Sequence, residues 1–286
     1  MNLANAKTVK KLMGDDVFFK KSLGQNFIID ETVCPRMASC AADDKTGVLE
    51  IGPGIGVLTR ELGIAAKRVV TIELDRSLAP ILDQTLGDLP NVRVIFGDAM
   101  KLDLSAIIAE NFADCERVTV CANLPYYITS PIVMKLLESR LPIDEIVVMV
   151  QKEAAERLCA AVSSREAGAV TVAVEYYAES EILFGVGRDS FMPPPKVDSA
   201  VMRLKVRREP PISVPDEGKF FALVKACFAQ RRKTLLNTVS STLHIEKAAL
   251  SAVLSELGLP ETVRAEKLDM QQLAALSRLL SENGIF

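Results

Sequence analysis

Short apolar runs separated by longer amphipathic stretches set the rhythm of the first half of the chain. Val48 to Ile51, Arg68 to Leu74, Val92 to Phe96, Arg117 to Ala122 and Ile143 to Val150 are dominated by aliphatic and β-branched residues. The last is nearly continuous in them, as a strand buried on both faces should be. Between the runs, Ser77 to Leu86, Leu104 to Asn111 and Ser130 to Ser139 read as helices. Lys152 to Ala161 follows the last run in the same way, and Val57 to Leu62 opens a helix directly after the tight turn Gly52-Pro53-Gly54-Ile55-Gly56. Strands alternating with helices at this spacing predict an α/β fold on a parallel, doubly wound sheet, which binds ligands outside the carboxyl ends of its strands. From about Pro210 the pattern changes. Pro210-Pro211 and Pro215 mark a linker, after which Glu217 to Phe228, Arg232 to Leu243, Glu246 to Leu257 and Ala265 to Leu280 read as amphipathic helices. This reading assigns residues 1–209 to an N-terminal arm and sheet domain, and 210–286 to a small all-helical domain.

The polar residues that interrupt the pattern gather where such a sheet binds ligands. Glu50 and Gly52 close the first run, Glu73 the second, Gly97-Asp98 the third and Asn123 the fourth. Gly52, Gly54 and Gly56 let the backbone turn sharply and approach a ligand, with a helix N-terminus behind them. A dinucleotide fingerprint would need glycine at position 57, where the chain has Val57. Glu73, about 20 residues on, is placed to accept hydrogen bonds from two ribose hydroxyls, a role common to nicotinamide and S-adenosylmethionine sites. Asp98 can accept from an adenine amino group. In Asn123-Leu124-Pro125-Tyr126, the Asn side-chain oxygen and the Leu124 carbonyl, held outward by the rigid proline, make two acceptors for an exocyclic amino group. Tyr126 adds a face on which a base can stack. The plainer reading of the tetrapeptide is a proline turn with a buried tyrosine.

Composition narrows the function classes. With 49% hydrophobic and 25% charged residues the chain reads as soluble and globular, and no apolar run approaches the roughly 18 residues of a membrane span. Lys7, Lys10, Lys11, Lys20 and Lys21 are followed by no continuous apolar core and accompanied by Asp15 and Asp16, which argues against a targeting signal, so a cytoplasmic protein is expected. The six cysteines form no C-x-x-C pair and His244 is the single histidine, so no metal site is expected. A net charge of −3 exerts no global pull on nucleic acid, and any such contact must come from local patches. A monomer is the default expectation.

Four segments carry a family resemblance. Lys21-Ser22-Leu23-Gly24-Gln25-Asn26-Phe27, Glu50-Ile51-Gly52-Pro53-Gly54, Asn123-Leu124-Pro125-Tyr126 and Phe191-Met192-Pro193-Pro194-Pro195-Lys196-Val197-Asp198-Ser199 together resemble the KsgA family of ribosomal RNA adenine dimethyltransferases, in order from about Lys20 to Asn237. Phe228-Ala229-Gln230-Arg231-Arg232-Lys233-Thr234-Leu235 is similar to the bacterial small-subunit enzymes more than to the erythromycin-resistance methyltransferases, which share the earlier motifs. Tyr127 departs from the pattern, since many members carry Asn there.

The resemblance implies a class I, Rossmann-like methyltransferase fold with S-adenosylmethionine as cofactor. Asn26 and Ile28 would line the pocket from the N-terminal arm, Gly52 would meet the methionine end, Glu73 the ribose and Asp98 the adenine. Asn123 would lie where cofactor and target meet, within a catalytic segment of Asn123, Leu124, Pro125 and Tyr126. Tyr126 and Phe191 would sandwich the target base. For Phe191, which precedes three prolines, core packing is the alternative. The activity implied is N6,N6-dimethylation of two adjacent adenines near the 3′ end of 16S rRNA in the 30S subunit or its precursor, alongside a role in subunit biogenesis.

Arg203, Lys205, Arg207 and Arg208 before the linker, and Lys225, Arg231, Arg232 and Lys233 after it, read as one basic surface for RNA phosphates, although such runs are more often solvated faces. Two other functions fit the residues. One is an adenine-N6 methyltransferase of large-subunit rRNA or DNA; the other is a non-catalytic assembly factor, against which the full set Gly52, Glu73, Asp98 and Asn123 argues.

Overall fold

A computed structural model describes residues 2–13 and 26–286 of the chain. Lys21 to Gln25 of the first motif lie outside the described residues. The protein divides into two compact units, Met1–Ala155 with Glu179–Val206, and Glu156–Ala178 with Arg207–Phe286.

The first unit begins with helix α1 (Ala6–Met13), strand β1 (Phe27–Ile28) and helix α2 (Val33–Ala41). An alternating series follows: β2 (Thr46–Ile51), α3 (Val57–Ala65), β3 (Arg68–Glu73), α4 (Ala79–Leu86), β4 (Val92–Phe96), α5 (Leu104–Phe112), β5 (Arg117–Asn123), α6 (Thr129–Glu138) and β6 (Glu145–Gln151). After α7 (Lys152–Leu158) and α8 (Ala169–Tyr177) come β7 (Ala178–Val186), β8 (Phe191–Met192) and β9 (Ser199–Val206). Seven strands form one sheet in the order β4-β3-β2-β5-β6-β9-β7, while β1 and β8 make a separate antiparallel pair with Ile28 opposite Phe191. The strand order reverses between β2 and β5, the topological switch point at which open α/β sheets bind ligands.

The sheet is mixed, which corrects the expectation of a parallel one. β2 pairs parallel with β3 and β5, β3 with β4, and β5 with β6, but β9 runs antiparallel to β6. β9 lies between β6 and β7, and the chain from β7 to β9 holds only a 3-10 turn and the two residues of β8, too little for the crossover that a parallel β7–β9 pair would need.

The second unit is helical, with α9 (Glu217–Phe228), α10 (Leu235–Leu243), α11 (Lys247–Glu256) and α12 (Met270–Glu282) after α8. Side-chain caps fix the starts of α9, α10 and α12. Asp216 accepts from the Lys219 N–H, Thr234 from Asn237, and Asp269 exchanges bonds with Gln272 in a capping box. The Thr234 cap explains why α10 opens at Leu235 rather than Arg232. The unit takes in Glu156–Ala178, upstream of the boundary expected at 209/210. An aromatic cluster accounts for this: Tyr176 packs on Phe220 and Phe221 with ring centroids 5.7 and 5.2 Å away, and Tyr177 stacks on Phe221 at 5.3 Å. Among the described residues no helix is long and apolar enough to cross a membrane.

Gly47 shows how tightly the central strand is covered. A Cβ at this buried position of β2 would lie 2.6 Å from the Phe112 ring of α5 and 3.1 Å from the Cys115 sulfur. Gly47→Ala should therefore overpack the α5 side of the sheet and cost about 1–3 kcal/mol, read as a lower midpoint in urea with an unchanged slope.

Candidate active site

The carboxyl ends of β2, β3, β4 and β5 open onto one cleft of ≈ 1120 Å³, its mouth included. Asn26, Ile28, Gly52, Glu73, Asp98 and Asn123 all line it, together with Leu124, Pro125 and Tyr126. Every residue expected at a cofactor and every member of the tetrapeptide is thus brought to one place.

The floor is the glycine turn. Gly52, Gly54 and Gly56 have φ of 75°, 59° and 89°, which side-chain-bearing residues rarely adopt, and a Cβ on Gly52 would meet nothing within 4 Å. The turn therefore leaves open space against its backbone, bounded at Gly54 by the Phe27 ring. Glu73 stands beside it. Its Oε2 accepts from the Gly54 N–H at 3.3 Å and its Oε1 from the Asp75 N–H at 2.7 Å, so the carboxylate is fixed while each oxygen keeps a further acceptor position. Burial raises its pKa above the ordinary value, and the backbone donors oppose the rise. Asp98 is oriented by the Met100 N–H, which donates to its Oδ1 at 2.9 Å.

The opposite wall is the tetrapeptide. Leu124 is buried and its N–H donates to the Met149 carbonyl of β6 at 3.1 Å, which pins the peptide ahead of Pro125. The Asn123 amide nitrogen points to the Asn26 carbonyl at 3.5 Å, an orientation that reserves Oδ1 as the free acceptor. The Tyr126 hydroxyl bonds the buried Ser199 hydroxyl of β9 at 2.9 Å, which holds the half-buried ring in place. Tyr127 is 58% exposed at the same wall.

Two expectations need correction. Phe191 does not line the cleft; it is 2% exposed, lies in the hydrophobic core and pairs with Ile28 in the β1–β8 ribbon, so packing claims the ring and no face is presented to a base. Arg203 is held inside the first unit by Glu145 (3.4 Å), Glu181 (3.2 Å) and the Cys40 carbonyl (3.1 Å), with its side chain only 21% exposed, and it is not offered to phosphate. The remaining cations do not share a unit: Lys205 is on β9, whereas Arg207, Arg208, Lys225, Arg231, Arg232 and Lys233 belong to the helical unit. Arg208, Lys225, Arg232 and Lys233 are exposed, and Arg231 donates to the Arg165 carbonyl at 2.7 Å.

Sequence reasoning missed Phe27, Leu74 and Met100, which supply apolar surface along the cleft. Leu74 follows the polar strand-end residue Glu73, and its 54% exposure became visible only in the structure.

With this geometry in place, the relatives of the chain bear on its chemistry. Residues 17–282 match the family model described as ribosomal RNA adenine dimethylase. The chain belongs to the ribosomal RNA adenine dimethylase family. Relatives named ribosomal RNA small subunit methyltransferase A are 50% identical in Geobacillus thermodenitrificans, covering 92% of this chain and 91% of the relative, and 47% identical in Bacillus licheniformis, covering 92% of each. Among solved structures, a dimethyladenosine transferase from Plasmodium falciparum superposes with a TM-score of 0.74 at 28% identity, over 90% of this chain and 98% of that one. The 23S rRNA methyltransferase ErmE gives 0.66 at 28% identity, over 90% and 100%. The dimethylase fold, a Rossmann-like sheet with a helical C-terminal region, is therefore the fold of this chain.

Behind the cleft of this dimethylase lies Glu50. It is wholly buried in β2 opposite Cys121, and neither carboxyl oxygen has a hydrogen bond of normal geometry, nor do the neighbouring Thr59 and Thr71 hydroxyls. Burial pushes its pKa up to about 7; the threonine hydroxyls counter this in part, and the charge of Glu73 adds to it. A raised carboxyl pKa favours the protonated fold, so this contribution is complete below about pH 4.5 and is lost as pH rises through 7. Stability should fall by on the order of 3 kcal/mol across that window from this group alone. Glu50→Gln should flatten the decline, as read by urea denaturation at pH 5, 6, 7 and 8; an equal decline in both proteins would place the titration elsewhere.

Proposed function

We propose that this chain, a cytoplasmic monomer, transfers methyl groups from S-adenosylmethionine to N6 of two adjacent adenines near the 3′ end of 16S rRNA, in the small subunit or its precursor, and so takes part in subunit biogenesis. The observation that carries the cofactor assignment is the charge of the cleft. Among the described residues its lining contains the carboxylates Glu73 and Asp98 and no lysine or arginine. The two carboxylates favour a sulfonium cation and oppose a pyrophosphate, with the Asp98 charge offset in part by Lys101 at 3.8 Å. The relatives named for the small subunit, half identical over nearly the whole chain, support the substrate.

The residues fit the cofactor. The open backbone of Gly52 would admit the methionine end, the fixed Glu73 carboxylate would accept from the ribose, and Asp98 from the adenine amino group. When bound, the cofactor supplies an electrophilic methyl. The adenine N6 is a poor nucleophile because its lone pair is delocalised into the ring. Asn123 Oδ1 and the Leu124 carbonyl, accepting its two hydrogens, would draw it toward a tetrahedral arrangement and aim the lone pair. Asn26 keeps Asn123 Oδ1 available, and Ser199 keeps Tyr126 in place to stack on the extruded base. No strong base is required, since the methylated ammonium is acidic enough to release its proton to water.

The deciding experiment is transfer of labelled methyl to immature small-subunit particles, large-subunit particles and duplex DNA, followed by digestion to nucleosides. Dimethyladenosine from the small-subunit sample alone is expected; label in either other sample would redirect the assignment. In the same assay Asn123→Ala should abolish transfer while cofactor affinity changes by less than about threefold, and retained turnover would remove Asn123 from the mechanism. Reversing Arg232 and Lys233 to Glu should shallow the log–log salt dependence of RNA binding by about 0.7 per lost contact. An unchanged slope would show that these cations face solvent only.

A further inference from the structure

The Asp98 side of the cleft is held by a residue that none of the motifs contains. Lys135 lies on α6, the helix that leads away from the catalytic turn, and its ammonium donates to the backbone carbonyls of Ala99 (2.9 Å), Met100 (2.7 Å) and Leu102 (3.4 Å). An ammonium has three protons, so one short loop takes its full donor capacity. No carboxylate pairs with Lys135 among the described residues. The same loop wraps around Asp98: the Lys101 and Leu102 N–H groups donate to the Asp98 carbonyl at 2.8 and 3.0 Å, and the Met100 N–H to its carboxylate. With its N–H groups turned inward on Asp98, the loop points three carbonyls at a single cation. Ala99 and Met100 line the cleft, so the loop's position sets the width of the adenine side.

We propose that Lys135 is a positioning residue for the cofactor, clamping the Asp98–Leu102 loop so that the Asp98 carboxylate meets the adenine amino group. The inference rests on the reading of Asp98 given above. A lysine on a helix is ordinarily a solvated charge, and its loss costs little. Here three charge-assisted bonds to carbonyls would be lost together, and the loop would relax around the carboxylate it presents. Because α6 follows directly from the Tyr126–Ile128 turn, one side chain also joins the adenine side of the cleft to the segment that holds the target base.

The test is calorimetric titration of S-adenosylhomocysteine into the full chain and into Lys135→Met, Asp98→Ala, the double variant and Lys135→Arg. Lys135→Met should weaken binding about tenfold, and Lys135→Arg, which keeps charge and donors, should recover part of that loss. The double variant should bind within about twofold of Asp98→Ala alone, since a clamp has no effect once the group it positions is gone. In methyl transfer, Lys135→Met should raise KM for the cofactor and leave kcat and the KM for RNA within about threefold. Wild-type affinity in Lys135→Met, or losses that multiply in the double variant, would overturn the proposal. If Asp98→Ala itself binds normally, the adenine reading of Asp98 fails first and the clamp with it. Should Lys135→Met not fold, Lys135→Arg binding no tighter than Asp98→Ala would also refute the clamp.

Discussion

A strand buried along its whole length has no room for polar chemistry except where it ends. β2 is such a strand, with all six residues from Thr46 to Ile51 buried, and β3 and β5 are nearly so. Desolvation therefore confines their useful polar groups to the termini. Parallel pairing then does the rest: because β2, β3, β4 and β5 point the same way, Gly52, Glu73, Asp98 and Asn123 come to one edge despite their separation in sequence. Thr71, Thr119 and Glu50 depart from this pattern, and for the Glu50 carboxyl a raised pKa is the physical mark of it.

This same constraint decided what was legible in the sequence. The parallel strands announced themselves as apolar runs, and the polar residues of the cleft as the positions that closed them, whereas its apolar lining from Phe27, Leu74 and Met100 gave no comparable sign. The β1–β8 ribbon gave none either, since strands of two residues carry no periodicity. α2 was hidden for a different reason: Pro35 in its first turn and the small residues Ala38, Ser39 and Cys40 give a weak helical pattern, although proline is tolerated there. Phe191 was left between two roles by its sequence, and packing settled it. Lys135 had no signature at all, because nothing in a sequence tells a solvated lysine from one whose three protons meet three carbonyls. Clamps of that kind are visible only once the chain has folded.

The second unit shows where composition misleads. Prolines near 210 marked a linker, yet the aromatic contacts of Tyr176 and Tyr177 draw the preceding helix into the helical unit. The chain thus leaves the sheet unit and re-enters it through β7 and β9 before leaving again, a course that no single boundary describes. Clustered cations mislead in the same way. Arg203 looks in sequence like its neighbours Lys205 and Arg208, but its guanidinium is spent on Glu145, Glu181 and the Cys40 carbonyl.

The charge of the cleft has a consequence for turnover. A dimethylase must empty and refill its cofactor site between the two transfers to one base. If Glu73 and Asp98 hold the cofactor as proposed, these carboxylates would attract a sulfonium more strongly than the neutral thioether left after methyl transfer. Among the described residues the lining holds no lysine or arginine, so on the proposed reading fresh cofactor would be favoured over spent cofactor with no moving part.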